Sequence, residues 1–260
     1  MGELTGELTT LQLSVDDEIG FIRLQRPQAG NAINDRLVDE MSRALRSLEG
    51  RAKVVVLEGS PEVFCAGADF GEIQQRVAAG QLDGGDPAPL YDLWQQLACG
   101  PFVSIAHVRG RANAGGIGFV AACDIVLCDD KATFSLSELL FGLMPACVMP
   151  FLARRIGFAK ANYMTLTTQP VAAAQALEWG LVDASEAQSD QLLRKLLLRL
   201  RRLDRDAVGR YKRYAASLGD ELRAARPKAL EANLAVFSDP RNLQRIARYV
   251  KTGRFPWEAD

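Results

Sequence analysis

Three short apolar runs, at residues 54–57 (VVVL), 102–108 (FVSIAHV) and 125–128 (IVLC), alternate with segments of helical periodicity, and this alternation most constrains the fold. The run 54–57 is apolar at every position, as expected of a parallel strand covered on both faces. Residues 10–15 and 19–24 alternate apolar with polar positions around Asp16-Asp17-Glu18, which predicts two strands joined by a tight turn. A helix starts at Asn34 or Asp35, with Leu37, Val38, Met41, Leu45 and Leu48 at helical spacing. Further helical pieces follow residues 64–69, cover 90–99, and run from the glycine-rich turn 110–118 to near Cys123. A flexible loop is expected at 80–89 (GQLDGGDPAP) and a short strand at 133–135. From about Ala159 the pattern is helical, with segments at 172–177, 190–203, 206–218, 220–237 and 242–252 before an aromatic tail, Phe255-Pro256-Trp257. Strands alternating with helices and then helices alone predict an α/β chain: a parallel-sheet core over residues 1–190 and a helical region over 191–260.

Composition excludes several alternatives. With 260 residues, 48% hydrophobic and 24% charged, the chain has the make-up of a globular protein. It has no apolar run of membrane-spanning length, and its first residues (MGELTGELTTLQLSV) lack a basic segment followed by an apolar one. A cytoplasmic protein, with no membrane partner, is expected. The five cysteines lack metal-ligand spacing and the single histidine is His107, so no metal site is expected and the thiols read as small buried hydrophobes. His107 itself, late in a strand, reads as a structural polar group. The net charge of −1 gives no footprint for nucleic acid. Residues 190–260, however, hold 17 Lys and Arg against 9 Asp and Glu. Arg199, Arg201, Arg202, Arg210, Lys212 and Arg213 make short basic groups there. They fit solvated helix faces and intersubunit pairing, or a landing surface for an acidic partner.

Two glycine-bearing loops, FCAGADF (64–70) and GRANAGGIGF (110–119), each lead into a helix. Such a loop presents free backbone N–H groups backed by the positive end of the helix dipole. Two of them could each donate one N–H to a single oxygen, forming an oxyanion hole for a developing negative charge. GRANAGG is neither a Walker A loop nor a full dinucleotide fingerprint: it lacks Gly-Lys-Ser/Thr, and the glycine spacing differs.

These loops, with Arg26-Pro27, Asn31-Ala32-Ile33, AGGIGFVAACDIVL (114–127), FSLSELLFGLMP (134–145), RRIG (154–157) and ALEWGLVD (176–183), resemble the crotonase (enoyl-CoA hydratase/isomerase) superfamily in order and register. The resemblance covers residues 10–185. It implies a ββα spiral core with a C-terminal helical trimerisation region, and a homotrimer or dimer of trimers. It also implies an oxyanion hole from the N–H groups of Ala68 and Gly115 acting on a thioester carbonyl. Hydratases of this superfamily carry two glutamates. Here the first position is Gly118 and the second is Glu138, so hydration by a glutamate pair is in doubt. Glu138, in an apolar stretch, suits proton shuttling, and Asp69 is the nearest alternative carboxylate.

The wording of 114–152, with EWGLVD and RYKRY (210–214), is further similar to the dehydratases of polyketide β-branching cassettes. That similarity implies removal of water from a 3-hydroxy-3-methylglutaryl group on an acyl carrier protein, giving the 3-methylglutaconyl thioester. The substrate would arrive as a phosphopantetheine thioester, with no other cofactor. Arg76 and Arg111 are candidates for holding its distal carboxylate. A single glutamate would also serve a CoA-dependent enoyl hydratase or double-bond isomerase, which stays open.

Overall fold

The computed structural model describes residues 7–80 and 85–258. Its strands are β1 (Leu11–Asp16), β2 (Ile19–Leu24), β3 (Val54–Glu58), β4 (Val63–Cys65), β5 (Val103–Val108), β6 (Arg111–Asn113), β7 (Ile125–Asp129), β8 (Thr133–Ser135), β9 (Val171–Ala172) and β10 (Ala184–Glu186). Its helices are α1 (Asp35–Leu48), α2 (Phe70–Ala78), α3 (Ala88–Cys99), α4 (Gly115–Ala122), α5 (Met149–Thr167), α6 (Ala173–Glu178), α7 (Ser189–Leu200), α8 (Arg205–Leu218), α9 (Glu221–Phe237) and α10 (Pro240–Thr252).

One sheet has the order β1-β2-β3-β5-β7-β10, antiparallel at β1–β2 and parallel beyond; a smaller one has the order β4-β6-β8-β9. The chain adds a strand to the large sheet, then one to the small sheet, then a helix, and repeats: β3-β4-α2, β5-β6-α4, β7-β8-α5. This is the ββα spiral that the resemblance implies. Strands β4, β6, β9 and β10, of two or three residues, are too short to show alternation and are not expected from the sequence, whereas β8, of three, is. Helix α5 begins ten residues before the expected start, as Met149–Thr167, with a non-helical Gly157 at a kink. Of the expected loop 80–89, residues 81–84 lie outside the described residues, and α3 already begins at Ala88.

The large sheet is covered on both faces. Val55 and Leu57 point with Leu37, Met41 and Trp94 into the main core, while Val54 and Val56 meet Leu193, Leu197 and Leu200 of α7. Two covered faces explain the uninterrupted apolar strand. Asn34 caps α1, its Oδ1 accepting from the Leu37 N–H at 2.9 Å. Among the described residues, no helix is long and apolar enough to cross a membrane.

His107 follows Ile105 on the face of β5 that meets α7. It is fully buried, its Nδ1 2.9 Å from Glu58 Oε1 and its Nε2 2.7 Å from Ser189 Oγ. That order imitates a nucleophile–base–acid relay, but Ser189 is also fully buried and its hydroxyl donates to Asp129. The chain of groups pins the start of α7 to the sheet. Glu58 is held down to about pH 2: burial opposes its ionisation, but the hydrogen bonds from His107 and Arg23 outweigh that cost.

Two of the six basic C-terminal residues are engaged within the chain, while Arg199, Arg202, Arg210 and Arg213 are exposed. Arg201 is paired with Asp16 at 2.6 Å and Asp17 at 3.1 Å. Lys212 is buried, bonded to Asp124 and, at 2.8 Å, to the Ala98 carbonyl. The tail aromatic Phe255 packs within its own chain, on Tyr249 (5.3 Å between centroids) and Phe141 (5.9 Å).

Candidate active site

The small sheet brings the two glycine-bearing loops together. Strand β4 delivers the loop 66–69 and β6, paired beside it, delivers Ala114 and Gly115. At Gly67, φ is +97° and a Cβ would sit 2.8 Å from Ala114 Cβ and 3.5 Å from Gly115 N. Only glycine allows both that conformation and that approach. Across the contact, Ala114 adopts φ 50° and ψ −120°, a conformation costing about 1–3 kcal/mol for a residue with a side chain and typical of functional turns. Ala114 is fixed there by its N–H on the Ser135 carbonyl at 2.9 Å. The Gly67 carbonyl and the Asp69 N–H pair with Ile33. Among the described residues, the N–H groups of Ala68 and Gly115 have no acceptor within the chain. For Gly115 this follows from its place as the first residue of α4.

Both loops border a cavity of about 1300 Å³ that also contains Glu138, Trp94, Arg76 and Arg111 in its wall. Glu138 opens a single 3-10 turn, Glu138–Phe141, ended by Gly142 in the left-handed conformation. Its carboxyl is buried and Oε2 has no partner. Burial pushes its pKa up to about 7, against the pull of the Glu138 and Ser137 backbone N–H groups. A carboxyl poised near neutrality can both take and give a proton.

Asn113 ties these parts to one another, a role that the sequence reading missed. Its Nδ2 donates to the Ala66 carbonyl (3.2 Å) and to Ser137 Oγ (2.9 Å), and its Oδ1 accepts from Ser135 Oγ (2.8 Å). The loop bearing Ala68 and the turn bearing Glu138 are thus held by one amide. The C-terminal helices complete the wall. Phe141 meets Tyr249 of α10 at 5.1 Å and Phe70 at 5.1 Å, and Asn242 donates to the Gly142 carbonyl at 3.0 Å.

The remaining candidates separate. Asp69 caps α2, its Oδ1 accepting from the Glu72 N–H at 3.0 Å, and its Oδ2 pairs with Arg26 at 2.7 Å. With both oxygens engaged, Asp69 holds the loop's shape, whereas Glu138 Oε2 has no partner. Arg76 is committed to Asp35 at 2.9 Å. Arg111 is exposed at the cavity wall and has no ion-pair partner among the described residues. At Gly118 there is no room for any side chain: a Cβ would lie 2.3 Å from Cζ2 of Trp94.

The sequence profile of the enoyl-CoA hydratase/isomerase family matches residues 15–260. Over 250 residues the chain is 53% identical to the bacillaene synthase dehydratase PksH of Bacillus subtilis (strain 168), covering 96% of each. It is 32% identical over 197 residues to the hydroxycinnamoyl-CoA hydratase-lyase of Pseudomonas fluorescens, covering 71% of this chain and 69% of that one. A solved Bacillus subtilis structure designated pksH superposes with a TM-score of 0.94 at 52% identity, over 96% of this chain and 100% of its own. An enoyl-CoA hydratase structure from Mycobacterium avium subsp. paratuberculosis K-10, at 23% identity, shares the fold with a TM-score of 0.82 over 98% of this chain and 100% of its own.

Proposed function

This chain belongs to the enoyl-CoA hydratase/isomerase family and is an enzyme of the hydro-lyase type; we propose that it dehydrates a 3-hydroxy-3-methylglutaryl thioester carried on an acyl carrier protein, giving the 3-methylglutaconyl thioester of polyketide β-branching. The observation that carries this reading is one unpartnered, near-neutral carboxyl, Glu138, in the same cavity as two backbone N–H groups without acceptors. The extensive identity to a polyketide dehydratase supports the choice of pathway.

The thioester carbonyl accepts from the N–H groups of Ala68 and Gly115, which form the oxyanion hole and acidify the C2 proton. The Glu138 carboxylate removes that proton. The C3–O bond then breaks, its electron pair leaving with oxygen, and Glu138 returns the proton so that water departs and C2=C3 forms. The carboxylate ends as it began, so one residue serves as base and then acid. Only protons move, so the step calls for no redox group. Arg111, exposed at the cavity wall and without an ion-pair partner among the described residues, holds the distal carboxylate.

The test presents the 3-hydroxy-3-methylglutaryl group on the carrier protein and on CoA and compares kcat/KM for water loss. Higher efficiency on the carrier, shrinking as salt rises, supports the reading. Equal efficiency on both at low salt overturns the carrier and favours a CoA-dependent hydratase or isomerase.

A further inference from the structure

Among the described residues, three buried side-chain atoms have no hydrogen-bond partner: Trp94 Nε1, Arg109 Nε and Glu138 Oε2. Two of the three belong to residues lining one cavity. Trp94 is only 1% exposed, and an indole N–H can only donate. Burying such a donor unsatisfied costs about 1–3 kcal/mol, and two residues of the cavity wall hold a buried donor and a buried carboxyl oxygen that have no partner.

The ring cannot turn to find another acceptor. Phe119 and Phe151 meet it edge-on, at 5.9 and 5.8 Å between centroids. Its Cζ2 and Cε2 edge lies 2.3 and 2.5 Å from where a Cβ on Gly118 would be, and Cζ2 is 3.9 Å from the Cβ position of Gly115. Nε1 is bonded to Cε2, the ring atom 2.5 Å from the Cβ position of Gly118 on α4.

We infer that the Trp94 indole N–H donates a hydrogen bond to the C3 oxygen of the acyl substrate, the oxygen that leaves, so that this oxygen is held between Trp94 Nε1 and Glu138 Oε2. The inference rests on the dehydratase reading above. As the C3–O bond breaks, negative charge gathers on that oxygen before Glu138 delivers the proton taken from C2. The indole keeps its own proton throughout and stabilises that charge. Trp94 is therefore a catalytic donor as well as a core residue.

Replacing Trp94 by 3-benzothienylalanine, with sulfur in place of N–H, keeps the ring's shape and deletes the donor. We expect kcat for water loss to fall about 10-fold or more, with KM and thermal midpoint near wild type. A folded variant with unchanged kcat overturns the inference. A second measurement keeps the native ring. In ¹⁵N-labelled Glu138→Gln protein, the Trp94 indole N–H resonance should move downfield with the 3-hydroxy-3-methylglutaryl thioester and stay in place with its 3-deoxy analogue. Equal response to both also overturns the inference. If wild-type enzyme removes no water from the hydroxy substrate, the underlying dehydratase reading fails and the inference with it. If wild type is active and the benzothienyl variant equals it, this inference alone fails.

Discussion

The Cζ2 edge of Trp94 stands where the side chain of residue 118 would begin, 2.3 Å from a Cβ placed on Gly118. The pair is a steric exclusion: the chain can have the indole or a side chain at 118, not both. Gly118→Ala should therefore destabilise the fold by about 1–3 kcal/mol, the usual cost of overpacking a core. In a Trp94→Ala background the same substitution should cost far less. Denaturant unfolding of the four proteins measures the coupling, and equal costs in both backgrounds would remove the exclusion.

Glu138 leaves a signature in stability as well as in rate. Its folded pKa of about 7 lies above the ordinary 4.5, so the fold favours the protonated carboxyl. That contribution is neutral below pH 4.5 and becomes a penalty as pH rises through 7. Glu138→Gln, which cannot ionise, should match wild type at pH 4 and exceed it by on the order of 3 kcal/mol at pH 8. Parallel stability curves for the two proteins across that range would show that Glu138 titrates normally.

How much of this was legible in the sequence depends on the length scale of each signal. The strands of the large sheet and helices α1, α7, α8, α9 and α10 carry enough apolar positions to show their period. The three-residue strands β4 and β6 of the small sheet do not, and their pairing joins the two loops; nor does β10 at the edge of the large sheet. Ala68, Gly115 and Glu138 were singled out by the family resemblance, which rests on local features: loop glycines and an acid in an apolar stretch. Trp94 was not, since it falls on the buried face of α3 with Leu93 and Leu97 and reads as ordinary core. Asn113 was likewise hidden: its partners Ala66, Ser135 and Ser137 meet it only through strand pairing. Asp69 is ambiguous in the sequence, because an acid in such a loop looks the same whether it shuttles protons or caps a helix, as it does for α2.

Asn113 should position the site without touching the acyl group. Asn113→Ala removes the hydrogen bonds to Ala66, Ser135 and Ser137, worth about 0.5–1.5 kcal/mol each. We expect kcat to fall about 10-fold or more while KM changes little, because Glu138 and the Ala68 loop lose their common tie. A proportional rise in KM at constant kcat would instead place Asn113 in ground-state binding.

The two arginines Arg111 and Arg201 should behave differently. Arg111→Met should raise KM for the 3-hydroxy-3-methylglutaryl substrate about 10-fold, through loss of a charge-assisted contact, and leave a 3-hydroxybutyryl substrate, which lacks the distal carboxylate, unaffected. Arg201→Glu should change neither KM nor the ratio of carrier to CoA efficiency. It sits beyond α7, on the side of the sheet away from the cavity, already paired with Asp16 and Asp17. Equal effects of Arg111→Met on both substrates would withdraw Arg111 from carboxylate binding.

Mass analysis of the carrier-bound acyl group tests whether Glu138 carries both proton transfers of the proposed dehydration. Incubated with 3-hydroxy-3-methylglutaryl carrier protein, wild-type enzyme should convert the acyl group to a species lighter by one water. Folded Glu138→Gln should do so at least ~10²–10⁴ times more slowly. Water loss by Glu138→Gln at the wild-type rate would remove Glu138 from the chemistry, and no loss of water by wild type would remove the dehydration itself.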